Sequence, residues 1–356
     1  MVTLRRGAIV GVGERRPGAV EIEVDIGGKR EPAIAYPDLT GPVEVGDTVV
    51  VNTTAVDLGL GTGGVHFVVA VEGRSHSGDP VAGRIMKARY TPLQAAVTGV
   101  EETHGDRLEA SPGLEGMPVV AAPLHSMLAP VAAGARAEGA GRIAYVMTDG
   151  AALAGPFSRL VPRLREAGLL DAFITSGQAF GGDLEAVTIW TALLAAREIS
   201  GADVVIVADG PGNLGTDTKW GVSALGSGHA LNAVSILGGR PLAALRISFT
   251  ETRDRHRGLS HHSLTILEEV CLVPATIAAP ILENPREKEA LSETLANLPA
   301  RYQIVEADGA PALSLLEDRG VEVESMGRKP ADDPAFFLAA GAAGVVAGHM
   351  AARSNS

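Results

Sequence analysis

Ten consecutive residues, Arg253-Asp254-Arg255-His256-Arg257-Gly258-Leu259-Ser260-His261-His262, hold three arginines, three histidines, an aspartate and a serine. Ala, Val, Leu and Gly dominate the rest of the chain. So many ionisable groups together are costly to desolvate unless they are paired or bound to something. Three chemistries compete for the segment. A metal site would use His256 with His261 or His262, completed by a carboxylate such as Asp209 or Asp183. Neutral imidazole and carboxylate suit divalent Zn, Mn or Fe, and an open position would suit hydrolysis. An anion site would set Arg253, Arg255 and Arg257 against phosphate or carboxylate, with a histidine as general acid or base. The third reading is an exposed charged loop with Arg–Asp pairs and a helix cap at Ser260. Alternate residues of an extended loop face opposite ways. Arg253, Arg255 and Arg257 are therefore expected on one side, with Asp254 and His256 on the other.

A second polar loop, Asp209-Gly210-Pro211-Gly212-Asn213-Leu214-Gly215-Thr216-Asp217-Thr218, mixes glycines with side chains able to accept or coordinate. Glycine lets backbone N–H groups approach an anion, or turns the chain so that carboxylates reach a metal. The loop lacks the Gly-Lys-Ser/Thr of a nucleotide-binding P-loop, and its glycine spacing is not that of a dinucleotide fingerprint.

These loops need elements to position them. Residues 1–92 read as short β-rich runs separated by turn residues such as Pro17-Gly18 and Gly27-Gly28, which predicts a small barrel-like all-β domain. Residues 93–115 read as a linker. From 116 to 356, short apolar runs alternate with Ala/Leu-rich helical stretches. The strand candidates are Pro118–Ala122, Ile143–Met147, Ala172–Thr175, Val204–Ala208, Leu242–Ile247, Pro274–Ala279, Tyr302–Glu306 and Val321–Ser325. Near-continuous apolar runs fit strands covered on both faces, so this part is expected to be a three-layer α/β domain with a mostly parallel sheet. In such sheets ligands bind beyond the carboxyl ends of the strands. His125, Thr148-Asp149-Gly150, Gly181-Gly182-Asp183, the Asp209 loop and the Arg/His segment all fall there.

Composition bounds the function. The chain has 356 residues, 46% hydrophobic and 4% aromatic, with a formal net charge of −12. Such an acidic chain is a poor generic nucleic-acid binder. Its one cysteine, Cys271, lies in an apolar run and reads as a packed hydrophobe. That usage fits a reducing, cytoplasmic compartment. No signal-peptide pattern opens the chain. The Ala/Gly-rich tract Phe336–Met350 is short for a bilayer span and reads as a buried helix, so no membrane association is expected.

Several motifs together resemble a bacterial domain-of-unknown-function family, number 3866. They are Gly59–Phe67 (GLGTGGVHF), Arg84–Gln94 (RIMKARYTPLQ), Asp149–Leu153, Gly181–Asp183, Asp209–Thr216 (DGPGNLGT) and Arg257–Ser263 (RGLSHHS). The resemblance covers nearly the whole chain and implies a protein of bacterial cytoplasm, but no activity.

The expectation from the residues is a hydrolase or transferase acting on a small anionic substrate. His256, His261 and Asp209 would be catalytic. Arg253, Arg255, Arg257, Asn213, Thr216, Gly212 and Asp149 would bind substrate, and His262 and Asp183 would hold a divalent metal. Gly59–Phe67 is either a plain loop or a backbone nest closing over the site. The rival expectation is a non-catalytic ligand-sensing or assembly module. Gly/Ala-rich helices favour close packing and a homo-oligomer under either view. An enzyme needs its polar groups in a concave pocket, whereas a module would spread them over a convex surface.

Overall fold

A computed structural model of the chain describes residues 2–60, 63–76 and 81–353. It divides into two compact units, Met1–Thr98 and Gly99–Ser356. In the first, strands β1 (Leu4–Arg16), β2 (Ala19–Ile26), β3 (Lys29–Ala35), β4 (Thr48–Asn52) and β5 (His66–Val71) close into a barrel in the order β1-β2-β3-β5-β4. Alternation places Val20, Ile22, Val24 and Ile26 of β2 in its core with Val49 and Val51 of β4. A two-stranded ribbon, β6 (Ile85–Lys87) and β7 (Ala95–Val97), follows. Gly61 and Thr62 of the Gly59–Phe67 loop lie outside the described residues. Residues 93–115 carry β7 and the short helices Val100–Thr103 and Gly105–Glu109.

The second unit is built on β8 (Pro118–Ala121), β9 (Ile143–Thr148), β10 (Ala172–Ser176), β11 (Leu184–Ala186), β12 (Val204–Asp209) and β13 (Arg240–Ala243). A small antiparallel ribbon, β14 (Ile247–Ser248) with β15 (Gly258–Leu259), precedes β16 (Ala275–Pro280) and β17 (Tyr302–Ala307). The sheet order is β11-β10-β9-β12-β8-β13-β16-β17, and every pairing in it is parallel. Neighbouring residues of one strand enter opposite cores. Val119, Ala144 and Val205 face one helical layer, and Val120, Tyr145 and Ile206 face the other. The domain is therefore the three-layer α/β unit that the apolar runs imply. The chain winds one way from β8 to β11, returns through β12, then winds the other way through β13, β16 and β17. β8, β12 and β13 thus flank a topological switch point, where a ligand crevice opens in such sheets.

Pro334–Ala352 is long and apolar enough to cross a membrane by length and composition, and 78% of its most apolar window is buried within the protein. It packs on the helix Leu128–Ala137 through glycines. A Cβ added at Gly344 would stand 2.1 Å from the Val131 carbonyl oxygen, a distance that only glycine permits.

Three sequence expectations differ from the structure. Leu242–Ile247 is not one strand, because the sheet strand ends at Ala243 and Ile247 pairs with Leu259 in the small ribbon. The Ala/Leu-rich run Leu184–Ser200, whose pattern predicts one helix, instead begins with β11, and the helix Ile189–Glu198 starts after Thr188, whose side chain accepts from Thr191 N. Val321–Ser325 forms no strand. Its alternation is one of burial alone, with Val321 and Ser325 buried and Glu322 and Glu324 exposed.

Candidate functional site

The Arg/His segment does not run extended. Asp254–His256 forms a 3₁₀ turn, followed by β15 and the short helix His261–Thr265. In a 3₁₀ turn residues i and i+3 lie one above the other. Arg253 and His256 therefore share a side, contrary to the expected alternation, and both line a cleft of about 640 Å³ with Arg255 and His262. Arg257 is exposed and does not line the cleft, which corrects its expected place beside the other two arginines. The cleft lies beyond the carboxyl ends of β8, β12 and β13, where His125, Asn213 and Arg246 contribute to its wall.

Glu251 organises the cations. It is buried, and its Oε2 lies 2.8 Å from Arg253, 3.6 Å from Arg328 and 3.8 Å from Arg246. The hydrogen bond from Arg253, aided by the charges of Arg253 and Arg328, holds its carboxyl down at about 2. Asp333 is the other nearby acid, 3.5 Å from Arg328 and accepting from Ser248 Oγ at 2.7 Å. Arg246 is only 12% exposed at its side chain, and burial plus its cationic neighbours lower its pKa.

Ser260 caps the His261–Thr265 helix and sits 2.9 Å from His256 Nδ1. This cap folds the chain back so that His256, His261 and His262 meet. Their ring centroids are 4.0–4.9 Å apart, and one nitrogen from each lies within 4.8 Å of the others. Burial, then Arg246, drives His256 down to about 3. Burial, then His261 and Arg246, drives His262 down to about 4. His261 shifts the same way, chiefly from burial. All three are neutral imidazoles near pH 7, the form that binds metal.

Asp209 ends β12 beneath the cleft rather than in its wall. Oδ1 accepts from Thr148 Oγ1 at 2.6 Å and Gly150 N at 3.1 Å, and Oδ2 accepts from Asn213 Nδ2 at 3.0 Å. Burial raises its pKa. It ties the loop after β9 to the loop after β12, and Gly150 is needed there because a Cβ would stand 2.5 Å from Oδ2. Held by this tie, Gly212, Asn213 and Thr216 line the cleft. Asp149 does not; it accepts from Gln178 N at 2.8 Å. Asp183 is not part of the histidine group. It accepts from Phe173 N at 2.9 Å and pairs with Arg165.

The loops of this rim carry the motifs DGPGNLGT and RGLSHHS, and a family model runs through both, matching residues 32–344. The chain belongs to the DUF3866 family, proteins of unknown function. No curated protein matches it. In this DUF3866 chain the residues that sequence reasoning passed over are Arg246 and Glu251, while His125 was placed on the rim but given no role. Arg246 carried a signal, being the one charge in the apolar run Leu242–Ile247. His125 carried little. It is buried with Nε2 2.8 Å from Ser158 Oγ and Nδ1 3.2 Å from Tyr145 Oη, and burial lowers it to about 4.

Proposed function

We propose that this protein is an enzyme that binds a small phosphorylated or carboxylated substrate in the cleft beyond β8, β12 and β13, and hydrolyses it or transfers a group from it. The observation that carries the reading is the convergence of three guanidinium groups, Arg246, Arg253 and Arg328, on the single carboxylate of Glu251. Even with Asp333 beside Arg328, the carboxylates offer too few acceptor sites for three forked donors, so an oxyanion in the cleft would take up remaining N–H groups. Arg253 and Arg246 present those groups to a cavity of small-molecule size. The concave placement of arginines beside the histidine cluster supports an enzyme over an assembly module, which would spread them on a convex face. Leu214 and Met326, 72% and 61% exposed, also line the cleft, so the rest of the substrate has an apolar part.

Thermal unfolding with inorganic phosphate, pyrophosphate and citrate tests the reading. At least one of these should raise Tm, and Arg246→Met should abolish that rise relative to its own unliganded Tm. A panel in which no anion shifts the wild-type protein would overturn it.

A further inference from the structure

We infer that His256, His261 and His262 form a three-histidine centre for a divalent transition metal of the zinc class, with its fourth position open to the cleft. This rests on the proposed anion-binding function only for the identity of that fourth ligand. Three observations carry it. First, a nitrogen from each ring lies within 4.8 Å of the others. A tetrahedral ion with metal–nitrogen bonds of about 2.0–2.1 Å holds its ligand nitrogens roughly 3.4 Å apart, so modest ring rotations close the set. Second, Nε2 of His261 and Nε2 of His262 are buried with no hydrogen-bond partner among the described residues. His262 as a whole is 6% exposed. Two orphaned imidazole nitrogens side by side, in a chain that satisfies most of its buried polar groups, call for a shared partner. A metal ion accepts both lone pairs at once. Third, the surroundings supply an orienting contact. Ser260 Oγ lies 2.9 Å from His256 Nδ1 and holds the ring in place; in the tautomer where Nδ1 donates to Ser260, the Nε2 lone pair is left for metal.

Arg255 Nε lies 3.3 Å from that same Nε2 and is the competitor a metal must displace. Its guanidinium also pairs with Asp217, 2.5 Å away. None of the three ligands carries charge, and Arg246, Arg253 and Arg255 stand nearby. The ion would keep its full positive charge, and an oxyanion in the cleft would complete both its coordination and its charge balance.

The test uses untagged full-length protein, purified without chelator and titrated with Co²⁺ or Zn²⁺. Elemental analysis reads stoichiometry, and the visible d–d bands of cobalt read geometry. The expected result is one ion per chain with a tetrahedral cobalt spectrum. His261→Ala, at a half-buried position that tolerates truncation, should weaken binding by more than about 100-fold, beyond the 10–100-fold typical of losing an outer-shell partner. His229→Ala, at an exposed position outside the cluster, should change nothing. Circular dichroism confirms that each variant is folded. Sub-stoichiometric metal in the wild type, or full binding in folded His261→Ala, would overturn the inference. Phosphate stabilisation that persists with EDTA would leave the anion site standing while the metal fails. One tightly held ion without any anion response would do the reverse.

Discussion

Glu251 concentrates the electrostatics of the site in one side chain. Its carboxyl sits at about 2 rather than 4.5, so the native state resists protonation where the unfolded chain does not. Between pH 4.5 and 2 the unfolded state therefore binds more protons. The stabilisation is complete above about pH 4.5 and is lost as pH falls through this window. A shift of this size corresponds to roughly 3 kcal/mol, and with only 6% of the side chain exposed little of it is screened. Glu251→Gln leaves Arg246 and Arg253 without their nearest counter-charge and Arg328 with Asp333 alone, which should destabilise the protein at pH 7 by about 3 kcal/mol. It should also flatten the decline in stability between pH 4.5 and 2. The same substitution frees donors, so phosphate should bind the variant more tightly and restore part of its stability. Urea unfolding across pH, with and without phosphate, reads all three effects. An acid limb identical in wild type and variant would refute the role given to Glu251. Sequence made the histidines visible because three lie within seven residues. It hid Glu251, because a lone Glu in Thr250-Glu251-Thr252 looks like any surface loop until Arg246, Arg253 and Arg328 are folded around it.

At the scale of elements, the runs that became β8, β9, β10, β12 and β16 were legible because burial on both faces leaves little room for polar residues. Legibility failed where period and partner separate. Val321–Ser325 alternates like a strand, yet it joins no strand of the sheet; Val321 and Val323 pack against a core while Glu322 and Glu324 line the cleft. Leu242–Ile247 looked continuous although Arg246 has to leave the sheet to reach Glu251. The C-terminal helix was readable as buried, but its partner was not, since small residues do not name what they touch. That contact gives a paired prediction. Gly344→Ala improves helix propensity by about 1 kcal/mol, yet its Cβ would meet backbone oxygen at 2.1 Å, so net destabilisation of about 2 kcal/mol or more is expected. Gly226→Ala, in the helix Gly226–Ile236 with nothing within 4 Å of its Cβ, should be neutral or slightly stabilising. Equal Tm values for the two variants would mean that the Leu128–Ala137 and Pro334–Ala352 helices are not in backbone contact.

The whole molecule keeps its hydrophobic interiors separate. Val20, Ile22, Val24, Val49 and Val51 belong to a core confined to the barrel, while the cores on the two faces of the β8–β17 sheet draw only on residues from Val100 onward. A segment that buries its own apolar surface has the main driving force it needs to fold alone. Its 258 residues exceed the size at which a single core is marginal. Every residue assigned above to anion binding, and all three histidines, lie between His125 and Asp333. Residues 99–356 expressed alone should therefore unfold cooperatively, and phosphate should raise their Tm as much as it raises that of the full chain. If the shorter chain folds but loses its phosphate response, the assignment of the anion to the arginines around Glu251 fails. If the response is undiminished, residues 99–356 are sufficient to hold the anion.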